Sequence, residues 1–302
     1  MQYRVLIEAS GSLTSFYLIN AIKEAGNIVY ASDIDNFNAA ALLADHFVCM
    51  PKVNDSKLWE ITEKIIAKNK INMVIPTLDE SLLGWSQRRD YFKKKGVYVI
   101  ISPEETIELC LDKWKTYKFF ISIGIETPKT ELYKNFGLIK PRNGRGGNGI
   151  ELSDFNYNQN GQFTHITQEI VFGEEYTIDC FFDNKGKPTY IIPRKRLSIK
   201  EGKSIKGVVC KHQAIEKEIM KIAKEIKFFG PINFQVFETK DKDLFFIEIN
   251  PRLGGGSSLA FAASENWITL VTNNLIEEKR IRPKPIQYGL KMARIYKDVF
   301  FE

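Results

Sequence analysis

Residues 232–256 read INFQVFETKDKDLFFIEINPRLGGG. Two apolar runs, 232–238 and 244–249, flank a charged turn at 240–243, which is the pattern of a β-hairpin. Side chains alternate along a strand, so Glu248 and Asn250 share a face, and Gln235 on the partner strand can stand opposite them. One carboxylate and two amide oxygens suit a hard divalent cation, Mg2+ or Mn2+, that keeps room for water and phosphate. Arg252 follows at once and adds a planar fork for a phosphate oxygen. A hairpin with merely solvated polar residues would not carry such apolar flanks or the glycine run at 254–256.

Upstream, 136–140 reads as a short strand leading into PRNGRGGNG. Four glycines in six positions, among them Gly144, Gly146 and Gly147, make a mobile loop whose amides can approach phosphate oxygens. Lys140 at the strand end adds a point charge to the same phosphates. Asp112 reads as the N-cap of a helix with Lys113 just inside it. Between two further strands, QEIVFGEEY forms an apolar hinge around Glu169, Ile170 and Val171. Its free backbone groups suit an adenine ring, and Glu174 or Glu175 on the next strand suits ribose hydroxyls. The strand 188–192 leads to Pro193-Arg194-Lys195-Arg196, with 201–207 read as a turn. One of these cations can neutralise a transferring phosphoryl group. Gly202-Lys203-Ser204 imitates a Walker A ending, but the glycine required five residues earlier is Leu197.

The first hundred residues alternate short apolar runs with helical stretches, which means a parallel sheet flanked by helices. The loops at 10–12 and 77–81 open at the carboxyl edge of that sheet, where ligands favour binding. Ser10, Gly11 and Glu80 are the substrate candidates there. Asp33 stands about where a ribose acid would be in a dinucleotide fold, yet G-x-G-x-x-G is missing, so a nicotinamide role is not expected.

With 302 residues, the chain is long enough for about two domains. A net charge of +6, with scattered basic residues, argues for a polyphosphate site rather than nucleic acid. Four cysteines in apolar runs and no metal spacing read as buried, reduced thiols in a cytoplasmic protein. Three histidines are too few for a His-based centre, and neither a signal peptide nor a membrane span is expected.

Taken together and in order, IPTLDESL, DKWKTYKFF, GIETPKT, KPRNGRGGNG, QEIVFGEEYTID, PRKRLSIKEGKSIKG, GPINFQVF and FIEINPRLGGG resemble the ATP-grasp superfamily, most closely its single-chain members similar to carbamoyl phosphate synthase. The resemblance implies an α/β fold: a Rossmann-like pre-ATP-grasp domain over 1–103, then an α+β ATP-grasp domain over 104–302. The latter divides into a small lid subdomain (about 104–168) and a metal-binding subdomain (about 169–302). It implies ATP with Mg2+ as cofactors, Lys113 and Lys140 on the phosphates, Glu169, Ile170 and Val171 on adenine, and Glu175 on ribose. Gln235, Glu248 and Asn250 then hold the metal, Arg196 and Arg252 act at the acyl phosphate, and Ser10, Gly11, Glu80, Arg252 and Gly254 meet the substrate. The lid is trimmed, and residues 154–164 read as a mobile surface loop. One such unit with no Cys–His pair to liberate ammonia does not lead us to expect carbamoyl phosphate synthesis itself. The implied activity is ATP-dependent carboxylate–amine or carboxylate–thiol ligation on small molecules, with a homodimer as the family's habit. A silent ATP-binding module and a kinase-like enzyme are the alternatives.

Overall fold

The computed structural model describes residues 2–12, 14–133, 136–144, 147, 149–152, 163–200, 202–295 and 297–301, with the backbone alone for Lys203. The chain divides into two compact units. One comprises Met1–Ile101, Glu265–Arg282 and Arg294–Glu302; the other comprises Ser102–Ser264 and Pro283–Ala293.

The first unit is a five-stranded parallel sheet of β1 (Arg4–Ile7), β2 (Ile28–Asp33), β3 (His46–Cys49), β4 (Met73–Ile75) and β5 (Tyr98–Val99), in the order β3-β2-β1-β4-β5. Val5, Leu6 and Ile7 are buried, as a strand covered on both faces requires. The helices between strands are α1 (Ser15–Glu24), α2 (Ala40–Leu43), α3 (Leu58–Asn69), α4 (Asp79–Gln87) and α5 (Arg89–Lys94). The order reverses between β1 and β4, so the loops after these two strands flank a topological switch point.

Glu8, directly after β1, is a buried carboxyl. It accepts from Trp85 Nε1 at 2.8 Å and Ser81 Oγ at 2.9 Å, both on α4. Burial raises its pKa from 4.5 to about 7, against the lowering pull of those two hydrogen bonds. Between these values the folded chain holds a proton that the unfolded chain has released, so stability falls as pH rises through that window. Across it, Glu8 should cost the first unit about 3 kcal/mol. Glu8→Gln should flatten that part of the slope, which unfolding of variant and parent at pH 5 and pH 8 will show.

The second unit begins with α6 (Glu104–Leu111) and α7 (Lys113–Ser122). Asp112 caps α7 as expected, accepting from Trp114 N at 2.9 Å and Lys115 N at 3.3 Å. A small antiparallel sheet follows, built from β6 (Thr130–Glu131), β7 (Gly137–Pro141), β8 (Glu151–Leu152) and β9 (His165–Glu169) in the order β6-β9-β7-β8. The larger antiparallel sheet comprises β10 (Glu174–Phe182), β11 (Pro188–Lys200), β12 (Lys203–Val209), β13 (Gly230–Glu238), β14 (Leu244–Asn250) and β15 (Lys291–Ala293), in the order β14-β13-β10-β11-β12-β15. Helices α8 (Gln213–Glu225) and α9 (Ser258–Ala263) complete the unit. Ile215, Ile219 and Ile222 of α8 are buried at helical spacing in the core beneath this sheet.

Several expectations need correction. The turn read over 201–207 is strand from Lys203 onward, because β11 runs on through Pro193-Arg194-Lys195-Arg196 and β12 pairs back along it. The closing strand read near 286–296 shrinks to β15. Before β15 the chain passes through the first unit over Glu265–Arg282, where α10 (Trp267–Leu270) and a π-helical turn, Val271–Ile276, lie; Asn266 Nδ2 ties this segment to Ala21 O at 2.7 Å. All four thiols are free, but only Cys110 and Cys180 are buried as expected; Cys210 is partly buried and Cys49 exposed. The surface loop expected at 154–164 lies mostly outside the described residues.

Candidate active site

The larger sheet has two chemically different faces, and its register defines them. On one face, Ile178, Cys180 and Phe182 of β10, Phe234 and Val236 of β13, and Phe246 of β14 are buried in the hydrophobic core. On the other, Thr177 stands opposite Arg194 and Gln235, Asp179 opposite Asn233, Gln235 opposite Glu248, and Asn233 opposite Asn250. A β-bulge between Gln235 and Val236 makes this division work. In an unbroken strand Phe246 and Glu248 would point the same way. Here Val236 pairs with Phe246 while Gln235 pairs with Glu248, so Ile247 is the extra residue and the parity changes there. Phe246 then enters the core and Glu248 joins the polar face. Asn250 Nδ2 donates to Glu248 Oε1 at 2.9 Å, which orients the carboxylate.

Lys140, at the end of β7, is buried, and its Nζ donates to the neutral Gln168 Oε1 at 2.8 Å. Gln168 is held in turn by Thr130 Oγ1 at 2.9 Å. Desolvation lowers the Lys140 pKa to about 8, with the charge of Glu248 raising it and that of Lys113 lowering it further. Lys140 therefore senses the charges of two other expected site residues. Lys113 Nζ donates to Gly144 O at 2.9 Å, at the start of the glycine loop. Gly144 and Gly147 both have positive φ, +132° and +75°, which glycine alone adopts readily. Gly146 lies outside the described residues. Arg142 anchors this loop rather than facing phosphate: it ion-pairs with Asp112 and donates to Phe163 O at 3.1 Å.

Glu169 ends β9, bonded through its N–H to Lys129 O at 2.9 Å. Ile170 and Phe172 in the following hinge are exposed. Gly173 passes so close to β13 that a Cβ there would lie 2.2 Å from Glu238 O. Gly173→Ala should therefore force the hinge off the sheet. The expected cost is about 1–3 kcal/mol, read as a lowered Tm, together with weaker adenine-nucleotide binding in calorimetry. Glu174 pairs with Lys195, whereas Glu175 pairs with Arg196. Arg196 also donates to Ser204 Oγ at 3.1 Å and Gly202 O at 2.8 Å, so its guanidinium is fixed from three sides. Beyond β14, Arg252 Nη1 donates to Leu253 O at 3.0 Å, and Gly254 N donates to Ser257 Oγ at 2.9 Å.

The remaining candidates belong to the first unit. Ser10 is buried and its hydroxyl donates to Ile7 O at 3.2 Å, so it serves the backbone. Gly11 N donates to Asp33 Oδ2 at 2.8 Å, and Glu80 is exposed on the first turn of α4. Sequence reading missed Gln168, Asp179, Asn233 and Ser257; periodicity gives no sign of a polar residue that serves another polar residue.

These donors fit a magnesium nucleotide. Among the described residues no cluster of three His, Cys, Asp or Glu side chains occurs, so any metal here takes mixed oxygen ligands. Glu248, Asn250 and Gln235 offer one carboxylate and two amides side by side, the hard set that Mg2+ accepts while keeping water and phosphate. Lys140, a buried cation on a neutral partner, is the complement of an incoming anion.

Comparison with known proteins agrees with this geometry. Residues 163–297 match the family described as ATP-grasp in the biosynthetic pathway with Ter operon, and residues 5–100 match the PylC-like N-terminal domain. The chain thus carries a PylC-like N-terminal domain followed by an ATP-grasp domain. It is homologous to the carbamoyl phosphate synthase large chain: that of Haemophilus ducreyi is 22% identical, over 82% of this chain and 26% of the relative. An uncharacterised protein of Methanocaldococcus jannaschii is 25% identical over 89% of this chain and 74% of its own length. The chain thus spans about a quarter of the synthase large chain. Among solved structures, the biotin carboxylase domain dimer of Hydrogenobacter thermophilus 2-oxoglutarate carboxylase, in complex with MgADP, ADP and bicarbonate, superposes with a TM-score of 0.73. It is 16% identical, over 96% of this chain and 73% of that one, and shares the fold. No helix among the described residues is long and apolar enough to cross a membrane.

Proposed function

We propose that the protein joins a small-molecule carboxylate to an amine, or to a thiol, through an acyl phosphate. The observation that carries this reading is the polar face of the larger sheet. It gathers Glu248, Asn250, Gln235 and Arg196, and the charge of Glu248 acts on Lys140. A carboxylate oxygen attacks the γ-phosphorus of ATP, the bond to the β-bridging oxygen breaks, and ADP leaves. The amine then attacks the acyl carbon, the C–O bond to phosphate breaks, and inorganic phosphate carries off the electron pair while the amine proton passes to solvent.

Such chemistry asks the protein for positioning and neutralised charge rather than covalent help. Magnesium, held by Glu248, Asn250 and Gln235, would draw charge from the phosphate oxygens. Lys140 and Lys113 bind the phosphates, and Gly144, Gly147 and their loop exclude water that would hydrolyse the acyl phosphate. The backbone of Ile170 and Val171, with Glu169, receives adenine. Glu175 takes the ribose in preference to Glu174, because it shares the face of Thr177 and Asp179. Arg196, fixed by its three partners, and Arg252 bear on the acyl phosphate. Gly254 lines the acceptor side, and Gly11 and Glu80 offer an acceptor surface at the carboxyl edge of the parallel sheet. The four free thiols fit a cytoplasmic setting, and the dimer of the biotin carboxylase relative makes a homodimer the assembly to test by light scattering.

A matrix of carboxylates against amines (amino acids, amino sugars and modified peptides) scored by phosphate and ADP release tests the reading. Release that needs both partners is the expected result. Hydroxylamine should convert the intermediate to a hydroxamate. A phosphorylated product without hydroxamate would make the protein a kinase-like enzyme instead, and nucleotide binding with no turnover on any pair would make it a silent module.

A further inference from the structure

The polar face also holds a buried network that the reaction outlined above does not use. Asp179 and Arg194 are each only 1% exposed and form an ion pair. Asp179 Oδ1 also accepts from Asn233 Nδ2 at 2.8 Å and Ser257 Oγ at 2.6 Å. Ser257 Oγ accepts in turn from Gly254 N at 2.9 Å. One carboxylate therefore joins β10, β11 and β13 to the loop that carries Arg252. The loop lies directly on the network. A Cβ at Gly254 would stand 2.7 Å from Asn233 Nδ2, and one at Gly256 would stand 2.6 Å from Arg194 Nη1.

Resting on the ligase reading, we propose that Asp179 and Arg194 are positioning residues for the acceptor side of the reaction, setting the loop 251–257 and, through it, Arg252 against the metal strand. A buried ion pair is a poor device for stability alone, since apolar residues of similar volume often do as well or better. This one also leaves Arg194 Nη1 buried without a hydrogen bond among the described residues, at a cost of about 1–3 kcal/mol. What the pair supplies is a defined place for a glycine-rich loop that has little conformational preference of its own. Nucleotide contacts lie elsewhere, on Lys140, Lys113 and the hinge, so acceptor and nucleotide binding should separate.

The test uses the whole chain with Arg194→Lys and Gly256→Ala; the second keeps both charged side chains and presses a methyl from the loop against the Arg194 guanidinium. Hydrogen exchange should speed up by about tenfold in peptides covering 251–258 while the core strands exchange as in the parent. Calorimetry should give MgADP dissociation constants within about twofold of the parent, and with the best carboxylate–amine pair the acceptor KM should rise about tenfold with kcat changed far less. Unchanged loop exchange in both variants would overturn the proposal, as would equal losses of nucleotide and acceptor binding, which mark a merely structural pair. If the parent turns over no pair at all, the ligase reading fails by itself and the exchange data still judge the positioning role.

Discussion

Glu248→Ala should lower turnover at least about 10³-fold, the several kcal/mol that a metal clamp contributes to a phosphoryl-transfer barrier. Glu248 is the carboxylate among the three proposed ligands, and neutral amides alone hold a hard dication poorly. The same substitution should abolish the dependence of nucleotide binding on magnesium. Stability should change little, because Glu248 is only half-buried and its hydrogen bond comes from Asn250, which can turn to solvent. ADP release with the best substrate pair, read beside a thermal melt, checks both halves. Undiminished ADP formation in a folded variant would remove the metal from this strand.

Lys140→Met should weaken MgADP binding about 10- to 100-fold, the worth of a charge-assisted hydrogen bond to phosphate. The Tm should hold or rise, because a buried ammonium on a neutral partner is replaced by an apolar side chain of similar shape. The parent should also show a pH signature that the variant lacks. With its pKa lowered to about 8, Lys140 is losing its proton just above neutrality, and phosphate binding must restore it. Affinity should therefore decline as pH climbs past about 8, with proton uptake on binding that calorimetry in buffers of different ionisation heat can count. Equal pH profiles for parent and variant would show that Lys140 does not meet the phosphates.

Much of this architecture is legible in the sequence, for identifiable physical reasons. Alternating apolar runs and helical stretches announce the parallel sheet, and Asp112 announces α7 because a cap is local chemistry. Glu248 and Asn250 can be paired because strand alternation is a property of the backbone. What stays hidden is set at long range. Nothing in the sequence links Arg142 to Asp112 until the fold brings the two together. Ser10 looks like a ligand group until its hydroxyl is found on Ile7 O. The stretch after Pro193 looks like a break because proline lacks an N–H, yet β11 continues, since Pro193 O accepts from Cys210 N instead. Asp179 and Arg194 are separated by 15 positions and become a pair only when β10 lies beside β11.

The extra residue at Ile247 has a consequence for anyone who would move this centre to another scaffold. Copying the run from Phe246 to Asn250 and the facing glutamine onto a perfectly regular ribbon would transplant the letters and lose the chemistry, because phenylalanine and acid would then share one side. Giving Ile247 a partner here, by inserting one residue between Gln235 and Val236, should do the same from within, burying a charge or stranding a phenylalanine in water. The dependable unit of transfer is the irregular pair of strands, miscount included.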